Sequence, residues 1–431
     1  MVSSSNRRFN RRALGRLVVA AAGTAVVAGC GRRPPAPDDP LRVMAVNHVW
    51  SKALRERLPE IEERLGRRVS MSLLTADQLA GAYNVKLNAS TTDIDVMMVR
   101  ALQEQALFAR NGWLADLTGH VRGDAAFGWD DFQEAPREAS TVSGRVLSVP
   151  VVTERPVLYY RKDLGEPPRT LDELLETSLR HTDPQNGVYG YVGRGQRSGA
   201  VTQWSSFLFS FGGDFTVDGR SGIGSPAALA AYEFYGTLLG RAGPPGATNM
   251  SLEQAMPIFA QGKAAHYIDA DAIYTNFLDP SVSTLGDRVG FAPFPQGPAG
   301  SRPHNIPSWS LGVSRFSQLQ DDSWEFVRWA SSPEMVAGLQ AAGIPGARRS
   351  VWADAATLAA FPADLAEAMR VNAGNGVGHD RPKVLQVGRA RDIIGRPLVT
   401  AILGQPVGPA VRDADAEFAD FLVRDNRHRE S

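Results

Sequence analysis

The sequence predicts an α/β fold arranged as two lobes, closed by helices at the C-terminal end. Three observations carry that expectation. Short apolar strands alternate with amphipathic helices in a first set before residue 100 and again in a second set after residue 150. A length of 431 residues passes the size at which one core keeps growing. The last quarter of the chain reads as helices without strands between them.

The first set opens with LRVMAVN at 41–47, a buried strand. In SKALRERLPEIEERLG, Leu54, Leu58, Ile61 and Leu65 recur at steps of four, three and four, which puts them on one helical face. Pro59 predicts a kink in that helix, and Gly66 suits the residue just past its end. VSMSLL at 69–74 is the next strand. Thr75 with Gln78 forms a capping box that starts a helix carrying Leu79, Tyr83 and Leu87 on one face. DIDVMMV at 93–99 is the third strand, and a βαβαβ run implies a parallel sheet.

The second set holds strands at 157–161, 188–192, 264–271 and 308–314. Thr170 with Glu173 is a second capping box, and Ser225-Pro226 starts the helix PAALAAYEFYGTLLG. Helices DSWEFVRWASS and SPEMVAGLQAAG follow, then one around 384–403. No internal repeat of fixed period is present.

The N-terminus has its own pattern. Residues 1–29 hold five arginines and no acid, and residues 17–29 are uncharged. As a helix those 13 residues would reach only about 20 Å, short of a ~30 Å hydrocarbon core. A basic start and a short apolar stretch ending in small residues make an export signal. Val27-Ala28-Gly29-Cys30 looks like a bacterial lipobox, so Cys30 is expected to become the lipid-bearing N-terminus after residues 1–29 are removed. NRRALGR at 10–16 weakly resembles a twin-arginine export motif, and an ordinary basic n-region reads equally well. Residues 30–40, with four prolines in 31–40, form an extended tether of about 30 Å.

Composition excludes several classes. Cys30 is the sole cysteine, so neither a disulfide nor a thiolate metal site is expected. The 46 basic and 46 acidic residues become 41 and 46 after signal removal, which argues against a nucleic-acid partner. No P-loop, nucleophile elbow or HEXXH pattern occurs, and the seven histidines are scattered. No metal or other cofactor is expected, and the missing motifs argue against an enzyme.

Six segments then carry a family resemblance: WSKALRERLPEIEERLGRRV, TDIDVMMVRALQEQALFARNGWLADL, SVPVVTERPVLYYRKDLG, FAQGKAAHYIDAD, PSWSLGVS and GIPGARRSV. In order and spacing they resemble bacterial extracellular solute-binding proteins of the maltose-binding-like class, over essentially all of 41–425. The resemblance implies the two-lobe type II periplasmic binding fold with a hinge. It places the N-terminal lobe at 41–151 and 311–357 and the C-terminal lobe at 152–310 and 358–431. It also implies a monomer, exported and lipid-anchored to the outer face of the cytoplasmic membrane, that delivers a carbohydrate or sugar alcohol to the permease of an ABC importer. Another solute on the same fold, such as glycerol phosphate or a peptide, is the first alternative, and a secreted glycan-active enzyme the second.

A sugar needs flat rings for its C–H faces and planar polar groups for its hydroxyls. With strand-end loops lining the cleft, the resemblance nominates Trp50, Arg100, Glu154, Gln203, Trp204, Asp269, Asp271, Asn305, Ser308, Trp309 and Arg348 as ligand-binding. Trp324 and Trp329 share one helix and read as core. At Ala272 the maltose-type proteins carry a stacking Trp, so the ligand is expected to be smaller than a maltodextrin or to stack elsewhere.

Overall fold

The computed structural model describes residue 36 and residues 38–430. The leader, Cys30 and most of the tether lie outside those residues. Two sheets organise the chain. Their strands are β1 (Leu41–Val46), β2 (Val69–Leu74), β3 (Val96–Val99), β4 (Val149–Glu154), β5 (Pro156–Arg161), β6 (Tyr189–Val192), β7 (Ala264–Ala270), β8 (Val289–Ala292) and β9 (Ile306–Val313).

The first sheet runs β2-β1-β3-β9-β4. β1 is parallel to β2 and β3, while β9 is antiparallel to β3 and β4. β3 is buried at all four residues, as a central strand covered on both faces should be. The second sheet runs β8-β5-β7-β6, with β7 parallel to β6 and antiparallel to β5.

Local signals act as their chemistry dictates. The helix expected through Pro59 divides into Val49–Glu56 and Leu58–Leu65, with Arg57 at φ −101° and ψ 2° between them. Pro59 sits in the first turn of the second piece, where its missing N–H has no intrahelical acceptor to lose. Gly66 closes that piece at φ 60°. Both capping boxes form. Tyr83 is fully buried and donates its hydroxyl to the carbonyls of Met44 and Met98, both at 3.0 Å, which ties the helix Ala76–Asn88 to β1 and β3.

The apolar cores separate along the chain. One gathers residues 41–152 with 309–347, while two others gather residues between 157 and 422. β4 leads into β5 through Arg155 alone, and β9 enters by pairing Ile306 with Glu154. Those two segments lie side by side between the sheets.

Among the elements that go beyond the sequence expectation are β8 and the helices Leu252–Ala260, Ala363–Gly374 and Val407–Glu430. β8 is a four-residue strand containing a glycine, and Pro257 interrupts the pattern of Leu252–Ala260. The helix Val387–Ile402 packs on Arg197–Ser210, and an added Cβ at Gly395 would stand 1.9 Å from the Arg197 carbonyl oxygen. Gly395→Ala is therefore expected to lower stability by about 1–3 kcal/mol through overpacking, read as a lower denaturation midpoint.

Candidate functional site

Where the two crossing segments meet, a cavity of about 220 Å³ opens between the sheets. The β4–β9 ladder shifts register on both sides of Trp309, next to Pro307, which cannot donate to a ladder. That irregularity accompanies the placement of both Ser308 and Trp309 on the cavity wall. Glu154, the last residue of β4, faces it from the other crossing. A larger hollow of about 680 Å³ shares Leu102 with it but is lined mainly by small apolar side chains and surface charges.

Burial pushes the Glu154 carboxyl up to about 7, and the charges of Asp271 and Asp269 add to the effect, against Arg194 and the Ser308 hydroxyl. Folded Glu154 thus binds its proton more tightly than an ordinary glutamate at 4.5, so the folded chain holds more protons between pH 4.5 and about 7. Stability falls as pH rises through that window. Glu154→Gln without ligand is expected to flatten the decline in melting temperature between pH 5 and about pH 8, measured by thermal unfolding.

Asp269 is the penultimate residue of β7 and is 2% exposed. Its carboxylate accepts from Arg194 Nε at 2.9 Å, Gln203 Nε2 at 2.6 Å, the Tyr267 hydroxyl at 2.6 Å and the Ala270 amide at 2.7 Å. Gln203 also accepts the Arg194 backbone N–H at 2.7 Å and the Tyr235 hydroxyl at 3.1 Å. Asp269 and Gln203 therefore aim Arg194, although both also touch the cavity. Burial alone would lower the Arg194 guanidinium, and the Asp269 carboxylate outweighs it and raises it.

On the opposite wall, Arg100 donates Nε to Glu104 at 3.0 Å and lies 5.7 Å from the centre of the Trp309 ring. Arg381 donates Nε to Asp380 at 2.6 Å and Nη1 to Gln103 Oε1 at 2.7 Å. Burial opposes ionisation of Asp380, but Arg381 holds its carboxyl well below the usual range. His304 sits between the hydroxyls of Ser205 and Ser206 at 3.2 and 3.1 Å, and burial pushes it down to about 4, so it is neutral at pH 7.

Of the nominated residues, Arg100, Glu154, Gln203, Asp269, Ser308 and Trp309 converge on this cavity. Five do not. Trp50 is 1% exposed within the first core, because the turn that starts its helix points the indole inward. Trp204 is fully buried and stacks on Tyr232 at 4.1 Å. Arg348 is 1% exposed; it donates to the carbonyls of Ser331 at 2.7 Å and Phe127 at 2.8 Å, and it lies over the Phe132 ring. Asp271 is fully buried and accepts Arg155 Nε at 2.7 Å, while Arg155 itself lies over the Trp352 ring. Asn305 donates to Gln133 Oε1 at 3.1 Å and lines a separate pocket of about 610 Å³ with Trp352.

The sequence reading passed over Gln103, Arg194, Thr202, His304, Arg381 and Arg391, all on the cavity wall. Arg194 was within reach of the strand-end rule, since it follows β6 by two residues. Arg381 comes from the loop between the helices Ala363–Gly374 and Val387–Ile402 and Arg391 from the latter helix, where no strand end marks them.

With the fold and cleft described, comparison with known proteins gives the class. The model of the family "Bacterial extracellular solute-binding protein" matches residues 52–337, and the chain belongs to that family. Its members are binding proteins, and the family is an exported one. Over 301 residues the chain is 29% identical to the mannitol-binding protein of Pseudomonas aeruginosa, covering 65% of this chain and 68% of that protein. It is similar to the crystal structure of an ABC transporter solute-binding protein from Agrobacterium radiobacter K84 in complex with ribitol, with a TM-score of 0.77, 24% identity, and coverage of 90% of this chain and 100% of that one. It is also similar to maltose-bound MalE3 of T. maritima, with a TM-score of 0.76, 27% identity, and coverage of 88% and 99%. These establish the two-lobe maltose-binding-type fold.

Proposed function

We propose that this chain is the substrate-binding component of an ABC importer and captures a small carbohydrate or sugar alcohol between lobes 41–151 with 311–357 and 152–310 with 358–431. The observation that supports it most is the meeting of Glu154, Ser308 and Trp309 on one cavity at the two crossings, with Arg100 and Arg194 beside them. A carboxylate and guanidiniums supply planar hydrogen-bonding groups for hydroxyls, and the indole supplies a face for C–H groups. At about 220 Å³ the cavity falls below the ~300–1,000 Å³ of drug-sized sites, which suits one sugar unit better than a maltodextrin. The mannitol-binding relative and the ribitol complex favour a linear sugar alcohol. A thermal-shift screen of monosaccharides, disaccharides and alditols tests this. Stabilisation is expected from small alditols or monosaccharides, and a screen in which only larger glycans stabilise the protein, or none does, contradicts it.

The proposal extends to the membrane through Cys30, supported by the lipobox-like residues 27–30 and the Pro-rich tether. Cys30→Ser is expected to move the protein from the membrane pellet to the soluble fraction of fractionated cells. Retention in the pellet at the wild-type level would sink the anchor.

A further inference from the structure

Around Asp380 the charges lining the cavity do not balance by ordinary pairing. Four guanidiniums line it: those of Arg100, Arg194, Arg381 and Arg391. Three stand against a carboxylate, as Arg100–Glu104, Arg194–Asp269 and Arg381–Asp380. Arg391 has no carboxylate within ion-pair distance among the described residues. It donates Nε to the Ser198 carbonyl at 2.9 Å and Nη2 to Thr202 Oγ1 at 3.1 Å, and Thr202 in turn donates to Asp380 at 2.8 Å. One carboxylate, Asp380, thus serves two guanidiniums. Burial and the neighbouring Arg381 push Arg391 down to about 9, which still leaves it charged at pH 7. His304, the other titratable group beside Asp380, is neutral there.

A half-buried cation withdrawn from water without an anion is costly unless something supplies the anion. We infer that the solute carries it: a sugar acid whose carboxylate is held by Arg391 and Arg381 while its hydroxyls reach Glu154 and Ser308. This rests on the sugar or sugar-alcohol reading of the same cleft. The guanidinium fork matches a carboxylate in two parallel hydrogen bonds. Glu154 interacts with Arg194 rather than with this group, so around Asp380 two guanidiniums face one carboxylate. That local excess of one positive charge is cancelled by a carboxylate, whereas a phosphate monoester at about −1.5 to −2 would overshoot it. The cavity, at about 220 Å³, falls below the ~300–1,000 Å³ of drug-sized sites, which suits a short open chain with one small terminal group.

Matched pairs test the inference. The purified protein is titrated calorimetrically at pH 7.5 with ribitol and ribonate, mannitol and mannonate, glucitol and gluconate, and with mannitol 1-phosphate. In the pair that binds best, the aldonate is expected to bind at least about tenfold more tightly than its alditol. That advantage should shrink as salt rises. Arg391→Gln should reduce the aldonate-to-alditol ratio towards one, and Arg391→Lys, which keeps the charge without the fork, should give an intermediate ratio. An alditol that binds as well as its aldonate overturns the inference and leaves the solute reading standing. A phosphate ester that binds more tightly than every aldonate overturns the carboxylate assignment. Binding of none of these overturns the inference, and the thermal-shift screen with monosaccharides then decides the solute reading on its own. Since the wild-type ratio is read first, a variant that fails to fold does not shield the inference.

Discussion

Trp204→Ala is expected to destabilise the protein by about 3–5 kcal/mol. The indole is fully buried in the second core. It stacks on Tyr232 with centroids 4.1 Å apart and meets Phe215 edge-on at 6.1 Å. Removing it deletes one of the largest fully buried side chains and leaves a cavity that the surrounding helices can close only in part. The effect on ligand affinity should be small in the fraction that remains folded, because the ring does not line the cleft. Chemical denaturation measures the first quantity and titration the second. A stability loss under about 1 kcal/mol together with abolished binding would return Trp204 to the binding site.

Glu154→Ala is expected to weaken solute binding by about ten- to more than a hundredfold. A carboxylate that accepts hydrogen bonds from hydroxyls gains roughly 1.5–3 kcal/mol from each such bond, and ~1.4 kcal/mol is a factor of ten. The carboxyl is withdrawn from water and raised to about 7, so its ionised form gains most when a ligand supplies donors. In the free protein the same carboxyl opposes stability above neutral pH, so its loss should not lower the apo melting temperature there. Equilibrium titration and apo melting at pH 8 separate the two effects. A lower apo melting temperature with unchanged affinity would make Glu154 a structural residue.

The fold was legible where local chemistry is sharp. The capping boxes at Thr75 and Thr170 started the helices they announced, and Ser225 capped its helix by accepting the Ala228 N–H. The same reading overlooked the Val407–Glu430 helix, although Val411, Ala414, Phe418 and Phe421 recur at steps of three and four and are buried. The site was only half legible, for a physical reason. An aromatic at a helix start packs inward as readily as it lines a cleft, and burial, which sequence does not print, decides between them for Trp50 and Trp204. Arg348 and Asp271 were misplaced for a similar reason: each has partners distant in sequence, Phe127 with Ser331 and Arg155, that use up its hydrogen-bonding capacity. Arg381, on a loop, and Arg391, on the helix Val387–Ile402, reach the cleft from C-terminal additions whose packing no local pattern specifies.

A crystal structure of the protein grown with the alditol or monosaccharide that gives the largest thermal shift tests the central claim most directly. The account predicts the solute in the 220 Å³ cavity, with hydroxyls within hydrogen-bond distance of Glu154 and one face against Trp309. Solute found in the 610 Å³ pocket beside Asn305 and Trp352, with the cavity at Glu154 holding only water, would contradict it.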